Sequence, residues 1–260
     1  MRPIWTGAIG FGLVNIPVKL YSATQASELN LDMLDKKDHS HIRFKRVNEE
    51  TGKEVAWNNI IKAYNYEGTY VMLDENDFAE ASPEQSKLVD IFQFVKEDEI
   101  NSIYYENPYF LEPAKDSKKT YALLFEALSK SKKVGVGSFV LRNKEHLVVI
   151  KPYQNIILLS GIRFEEEIRN TSDIDVSQKS TVKPAELKMA MSLIDQLTEP
   201  FNISAFKDTY TESLLKVIKA KAKGRKVKKP VMNVVKNANT TDLMAQLKAS
   251  LSSTKKRKVS

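Results

Sequence analysis

Glycine interrupts the apolar start of the chain so regularly that it limits the kind of sheet this segment can form. Over residues 4–21 the apolar run is broken at Gly7, Gly10 and Gly12, and again at Pro17. A secretory signal peptide needs an unbroken apolar run, so this segment is predicted to belong to the folded protein. Glycine allows backbones to approach closely and sheets to bend sharply, as at barrel corners. The N-terminal strands therefore predict a closed, curved sheet.

Composition excludes several classes of protein. With 260 residues and 42% hydrophobic content, the chain can bury a substantial core. No apolar run approaches the roughly 18 residues that would span a bilayer. The chain has no cysteine, which rules out disulfides, thiolate nucleophiles and cysteine-ligated zinc and fits a reducing compartment.

Charge is distributed very unevenly along the chain. Residues 213–260 contain 14 Lys and Arg against one acidic residue, whereas residues 1–212 contain 26 basic and 32 acidic residues. The first part thus carries −6 and the last part +13. A polyanionic partner would be met by local patches and by the basic tail, not by the whole surface.

Periodicity predicts strands first and helices later. Residues up to about 75 favour strands, and 42–47, which alternates apolar with basic residues, is predicted to be a strand at a solvated sheet edge. Further along we predict a helix at 74–81, a strand at 88–95, and a hairpin of 134–141 with 146–150. A further helix is predicted at 118–130, with Tyr121, Leu124, Phe125 and Leu128 on one stripe.

From Pro184 the period changes to 3.6, which predicts an amphipathic helical arm over residues 184–223. Its first helix carries an apolar stripe of Leu187, Met191, Ile194 and Leu197. A second helix is predicted to begin at Thr209, where the spacing to Glu212 is that of a capping box. We therefore expect three parts: a core over 1–183, the arm over 184–223, and a flexible basic tail over 224–260 with a short helix at 241–251.

Five strings, in order, resemble the bacterial Ku family. The string Phe-Gly-Leu-Val-Asn-Ile-Pro-Val-Lys-Leu-Tyr at 11–21 closely resembles the opening of these proteins. The other similar strings lie at 62–73, at 107–113 with 119–124, at 164–169 and at 208–215. The resemblance covers about residues 2–222.

The resemblance implies both a fold and a function. It implies a mainly β protein with flanking helices (α+β): a Ku-like β-barrel core and a C-terminal helical arm, two copies of which make a homodimeric ring. Such a ring binds double-stranded DNA ends without sequence preference and recruits the multidomain ATP-dependent DNA ligase D for non-homologous end joining. We accordingly expect a location in the bacterial cytoplasm, on the nucleoid. Two other hypotheses remain open at this point, a metal-dependent nuclease and a groove-reading DNA-binding regulator.

Basic residues provide the candidate DNA contacts. Those predicted in the core are Lys45, Arg46, Lys132, Lys133, Arg142 and Lys144. Those predicted in the tail are Lys221, Lys223, Arg225, Lys226, Lys228 and Lys229. They could form a track for phosphates, or they could be the solvated charges of an ordinary surface and a solubilising tail.

The sequence offers little for catalysis or cofactors. The run Asp38-His39-Ser40-His41 could supply two metal ligands, but two histidines two apart without a convincing third ligand are more often polar surface. Some members of the resembled family carry cysteines near this segment, and this chain has none. We find no nucleophile beside a base and no nucleotide-binding fingerprint, so we expect a protein without enzymatic activity or cofactor.

One apolar stripe in the tail does not suit phosphate binding. Over 241–251 it consists of Leu243, Met244, Leu247 and Leu251. An isolated helix of this length is marginal in water, so the stripe is predicted to fold on docking to a protein, with the ligase as the expected host. Packing of this helix back onto the barrel is the alternative.

Overall fold

The computed structural model describes residues 1–81, 87–141, 144–175 and 182–225, together with Leu247. The chain forms two compact units, one of residues 1–26 and 31–171 and one of residues 27–30 and 172–260. The strands are β1 (Trp5–Phe11), β2 (Val14–Ser22), β3 (Lys62–Tyr66), β4 (Thr69–Leu73), β5 (Leu88–Lys96), β6 (Tyr105–Pro113), β7 (Lys133–Leu141), β8 (Lys144–Tyr153) and β9 (Ile156–Ile162). The α-helices are α1 (Glu75–Ala81), α2 (Lys118–Ser131), α3 (Pro184–Leu197) and α4 (Thr209–Ala222).

Seven strands of the first unit close into a barrel in the order β1-β2-β6-β9-β8-β7-β5. Neighbouring strands pair antiparallel except β1 and β5, which pair in parallel and complete the closure. The closed, curved sheet predicted from the N-terminal glycines is confirmed, and so is the fold class of a barrel with flanking helices. The predicted hairpin is the pair β7–β8.

Strand β5 closes the barrel because glycines allow its neighbours to approach its backbone. A Cβ atom on Gly7 would lie 2.3 Å from the carbonyl oxygen of Lys87, and one on Gly137 would lie 2.2 Å from that of Asp90. No side chain fits at such distances, so each position requires glycine. A β-bulge in β5, where it faces β7, adds the local bend that closure demands.

The barrel core consists of the inward-facing alternate residues of its strands. Ile9, Ile16, Leu20, Leu111 and Leu159 are fully buried within it. Helix α2 packs on the same cluster through Tyr121, Leu124 and Leu128, whose spacing matches the predicted helical stripe.

Tyr121 ties α2 to the ladder between β6 and β9. Its hydroxyl donates a hydrogen bond to the carbonyl of Leu111 at 2.6 Å and accepts one from the N–H of Ile157 at 2.6 Å. Leu111 and Ile157 are register partners, so the hydroxyl satisfies two backbone groups of facing strands. Burial raises the pKa of Tyr121 to about 12, against the opposing effect of the bond from Ile157.

A long insertion, residues 23–81, separates β2 from β5 along the chain. It contains the two-stranded sheet β3–β4 and helix α1, as predicted for its final segments. No residue of the insertion is buried.

The predicted edge strand at 42–47 is wrong: only Val47 forms a bridge, with Glu54. The apolar residues of this segment do not form a buried face, since Phe44 is 81% exposed and Ile42 is also exposed. The alternating pattern therefore does not correspond to a half-buried strand.

The described part of the second unit contains α3 and α4. Helix α3 begins at Pro184, as predicted, and its stripe of Leu187, Met191, Ile194 and Leu197 is 54–73% exposed. Helix α4 begins at Thr209, also as predicted. The expected capping box from Thr209 to Glu212 is wrong, because the N-cap is the preceding residue. Asp208 caps the helix: its carboxylate accepts hydrogen bonds from the hydroxyl and N–H of Thr211 and from the N–H of Tyr210. These bonds lower the pKa of Asp208. Within the described residues, no helix combines the length and apolar character needed to cross a membrane.

Candidate nucleic-acid interface

Lys45 and Arg46 are brought together with residues from the second half of the insertion. The bridge between Val47 and Glu54 aligns the two segments, and the Lys45 ammonium forms an ion pair with Glu54. Both side chains of this pair are more than half exposed, and an ion pair of this kind contributes only about 0–1 kcal/mol. A phosphate group can therefore replace Glu54 as the partner of Lys45 at little cost.

Arg46 lies on an aromatic ring that the sequence analysis missed. Its guanidinium carbon is 4.3 Å from the centroid of the Trp57 ring, and Trp57 is 71% exposed. Stacking of this kind fixes the guanidinium plane while its N–H edge stays available to a ligand. The available signal was a lone tryptophan in a polar turn, since Trp57 is followed by two asparagines.

The other predicted basic residues of the core lie at opposite ends of β7. Lys133 is the first residue of that strand, whereas Lys144 pairs with Leu141, its last residue. At about 3.3 Å per residue, nine residues separate the two ends by roughly 26 Å. Lys132 precedes the strand in a left-handed conformation (φ 55°) at the end of α2, and Arg142 lies outside the described residues. A single phosphate track that includes both Lys133 and Lys144 must therefore extend along the whole length of β7.

The basic tail is described only in part. Lys221, Lys223 and Arg225 are exposed at the end of α4, whereas Lys226, Lys228 and Lys229 lie outside the described residues. The earlier lysines Lys216 and Lys219 share one face of α4 with Lys223. In the described ranges, Lys45 is the one predicted DNA contact that forms an ion pair with the protein's own carboxylates. The exposed charges at this helix end therefore suit an anionic ligand.

The candidate metal ligands form a tight hairpin turn. Leu34 and His41 bridge across it, and the Asp38 carboxylate accepts hydrogen bonds from the N–H of Ser40 at 2.9 Å and from its hydroxyl at 2.8 Å. These bonds lower the pKa of Asp38. Over the described ranges, no group of three or more His, Asp or Glu side chains converges as metal ligands would. The hydrogen bonds from Ser40 are therefore sufficient to explain the position of the Asp38 carboxylate in this turn.

The predicted ligase-docking residues fall almost entirely outside the described ranges. Leu243, Met244 and Leu251 are not described, and Leu247 is helical and half-buried. Their role stays a prediction.

One family profile and several relatives match most of this chain. The family profile of the Ku70/Ku80 β-barrel domain matches residues 10–189. The non-homologous end joining protein Ku of Coxiella burnetii is 36% identical over 99% of this chain and 96% of its own length. Proteins of the same name from Bacillus subtilis and Mycobacterium tuberculosis are each 34% identical, over 98% and 96% of this chain and 83% and 95% of their own lengths.

Proposed function

This chain belongs to the Ku family of non-homologous end joining proteins, and we propose that it binds the ends of double-stranded DNA as a homodimeric ring. The observation that carries the proposal is the insertion. It forms a hairpin, a helix and an arginine–tryptophan stack without burying one residue. The insertion as a whole is acidic, but its residues 42–47 hold Arg43, Lys45 and Arg46 with no acidic residue. This local basic cluster, together with the exposed ring of Trp57, is suited to contacting a polyanion.

Phosphate contacts explain why such binding ignores sequence. Lys45 and Arg46 present an ammonium and a stacked guanidinium, which recognise phosphate oxygens by charge and by paired hydrogen bonds. Phosphates carry no base information, so a ring that contacts them reads only the shape of the duplex and the presence of an end. The proposed role needs no chemical step, and we propose a non-enzymatic protein that acts on the nucleoid.

The helical arm carries an exposed apolar stripe that favours a homodimer. The α3 stripe exposes four large apolar side chains along one face of a 14-residue helix. Exposed stripes of this kind mark protein interfaces, and two-fold closure is the commonest arrangement among soluble oligomers. We therefore assign this stripe to the dimer. The remaining predicted contacts, at both ends of β7 and in the tail, would line the enclosed duplex.

A gel-shift comparison of linear and closed-circular duplexes of identical sequence tests the proposal. We expect binding to the linear form alone, and affinity that falls about 10³- to 10⁵-fold between 50 and 200 mM salt if roughly 6–10 phosphates are contacted. Equal affinity for the two forms would rule out threading onto an end. Loss of DNA over time in the presence of Mg²⁺ would instead indicate a nuclease.

Variants of the insertion test the contacts themselves. Replacing both Lys45 and Arg46 with Ala should weaken binding to all sequences alike and reduce the slope of log affinity against log salt by about 2. Lys19→Ala, which removes an exposed lysine of β2 outside the predicted set, serves as the control and should leave that slope unchanged.

We further propose that the stripe of Leu243, Met244, Leu247 and Leu251 recruits an ATP-dependent DNA ligase such as ligase D. An end-binding protein without a catalytic site needs an enzyme to join the strands, and a short amphipathic helix is a common docking element. Replacing Leu243 and Leu247 with Ala should leave DNA binding and dimer mass intact while ligase recruitment falls. Normal recruitment with lowered thermal stability would show that the stripe belongs to the protein's own fold.

A further inference from the structure

An apolar groove runs between α2 and the strands β1, β2 and β5. Its walls are formed by Phe11, Val14, Phe94, Leu123, Leu124 and Ala127, and its volume is about 510 Å³. Phe11 and Phe94 meet edge to face, with ring centroids 6.0 Å apart, and so form a firm wall. On the opposite side Leu123 is 70% exposed. The groove thus has a defined shape and an open face.

Lysines gather at one end of this groove. Lys133 lines the groove and pairs directly with Lys96 across β5 and β7, and Lys132 precedes it. Like charges at facing positions of two strands repel one another. A second cleft adjoins the groove, shares Lys133 with it and is lined by two carboxylates, Glu97 and Asp98. Glu97 is already paired with Lys151. Asp98 is therefore the remaining carboxylate beside Lys96, Lys132 and Lys133. None of these three lysines forms an ion pair within the described part of the chain.

We propose that this groove docks an acidic amphipathic segment of another protein. Bulky apolar side chains of the segment would cover Phe94 and Leu123, and carboxylates beside them would meet Lys96 and Lys133. A volume in the range of about 300–1,000 Å³ holds a few anchoring side chains, which is how short segments bind in grooves. Charge argues against the protein's own tail, because residues 226–260 are strongly basic and would add to the lysines. The groove shares Lys133 with the predicted DNA contacts, whereas its apolar walls are separate from those contacts and from the tail stripe.

Selection from a phage-displayed library of random 12-residue peptides tests the proposal. The full-length protein is the target, and the full-length Leu123→Glu variant is used to remove peptides that bind elsewhere. Leu123 is largely exposed, so this variant should fold, which circular dichroism checks. We expect an enriched consensus that combines at least two bulky apolar residues with a carboxylate. A consensus without an acidic residue, or the absence of enrichment, would overturn the proposal.

The consensus peptide, labelled with fluorescein, then allows the affinity to be measured by anisotropy. Leu123→Glu and Lys133→Glu should each weaken binding about tenfold or more. Ile103→Glu, a matched change at an exposed residue outside the groove, should leave it unchanged. A peptide in which lysine replaces the carboxylate should regain affinity for Lys133→Glu. Failure of this charge exchange would contradict the role given to the lysines.

Two further measurements separate the other possible occupants. If replacing Leu243 and Leu247 with Glu in the full chain raises peptide affinity, the tail itself fills the groove and the proposal is wrong. If Leu123→Glu halves the mass found by light scattering, the groove is an interface between two copies, which also overturns it. An unchanged affinity and an unchanged mass support docking of another protein.

Discussion

Replacing Tyr121 with Phe should lower the free energy of unfolding by about 2–6 kcal/mol. The substitution keeps the buried ring and removes only the hydroxyl, so little packing changes. It leaves the carbonyl of Leu111 and the N–H of Ile157 without their 2.6 Å partner inside the barrel. Each buried group that loses its hydrogen bond costs about 1–3 kcal/mol. Two such groups on facing strands therefore give the predicted value.

Equilibrium urea unfolding, followed by circular dichroism at a fixed protein concentration, measures this loss. The fixed concentration matters because dimerisation makes apparent stability depend on it. Tyr21→Phe is the matched control, since it also removes a hydroxyl that is hydrogen-bonded to a neighbouring strand, but at an exposed site on Glu112. We expect Tyr21→Phe to be nearly neutral. A loss below about 1 kcal/mol for Tyr121→Phe would refute the argument that its hydroxyl satisfies the β6–β9 ladder.

The same residue predicts a pH dependence. Its pKa is about 12 in the folded protein and about 10 in the unfolded chain, so the folded state holds the proton more tightly. The corresponding stability is fully present below pH 10 and is lost as the pH rises from about 10 to about 12. That loss amounts to roughly 2–3 kcal/mol. Tyr121→Phe should lack this part of the alkaline decline, and a decline equal to that of the wild type would contradict it.

Three further predictions concern the barrel, the interface and the arm. Gly137→Ala should destabilise the barrel by about 1–3 kcal/mol in thermal unfolding, because its Cβ would lie 2.2 Å from a β5 carbonyl, whereas Gly161→Ala, with 3.5 Å of room, should cost far less. Trp57→Ala should weaken DNA binding about two- to fivefold without changing its salt slope, because it removes the stacking surface and no charge. Leu187→Glu with Ile194→Glu should yield monomers in light scattering, and a stable dimer would show that α3 is not the interface.

The candidate interface was predictable in its residue types but not in its arrangement. Clustered lysines and arginines can be read from a sequence, which is how Lys45 and Arg46 were chosen. The ring under Arg46 could not be found in this way, since Trp57 is eleven positions away and reaches it only through the chain reversal that the Val47–Glu54 bridge aligns. In contrast, the separation of Lys133 from Lys144 along β7 follows from the predicted hairpin of 134–141 with 146–150, whose turn holds Lys144.

The sequence by itself determined the features that depend on local spacing. Glycines at short intervals predicted close backbone approach and a closed sheet, and Gly7 meets that description against the carbonyl of Lys87, the residue before β5. The period of 3.6 fixed α2 and α3, and Pro184 marked the start of α3. These properties follow from the backbone and from the side-chain period, which neighbours in the chain establish.

Only the tertiary structure decided what depends on partners distant in the chain. The alternation at 42–47 looked like a strand, yet no neighbouring strand lies beside it, so no ladder forms. Tyr121 appeared as one more apolar residue of a helical stripe, and its hydroxyl proved to link β6 and β9. Hydrogen bonds between strands join residues far apart in sequence, and their energy depends on burial that no local pattern contains.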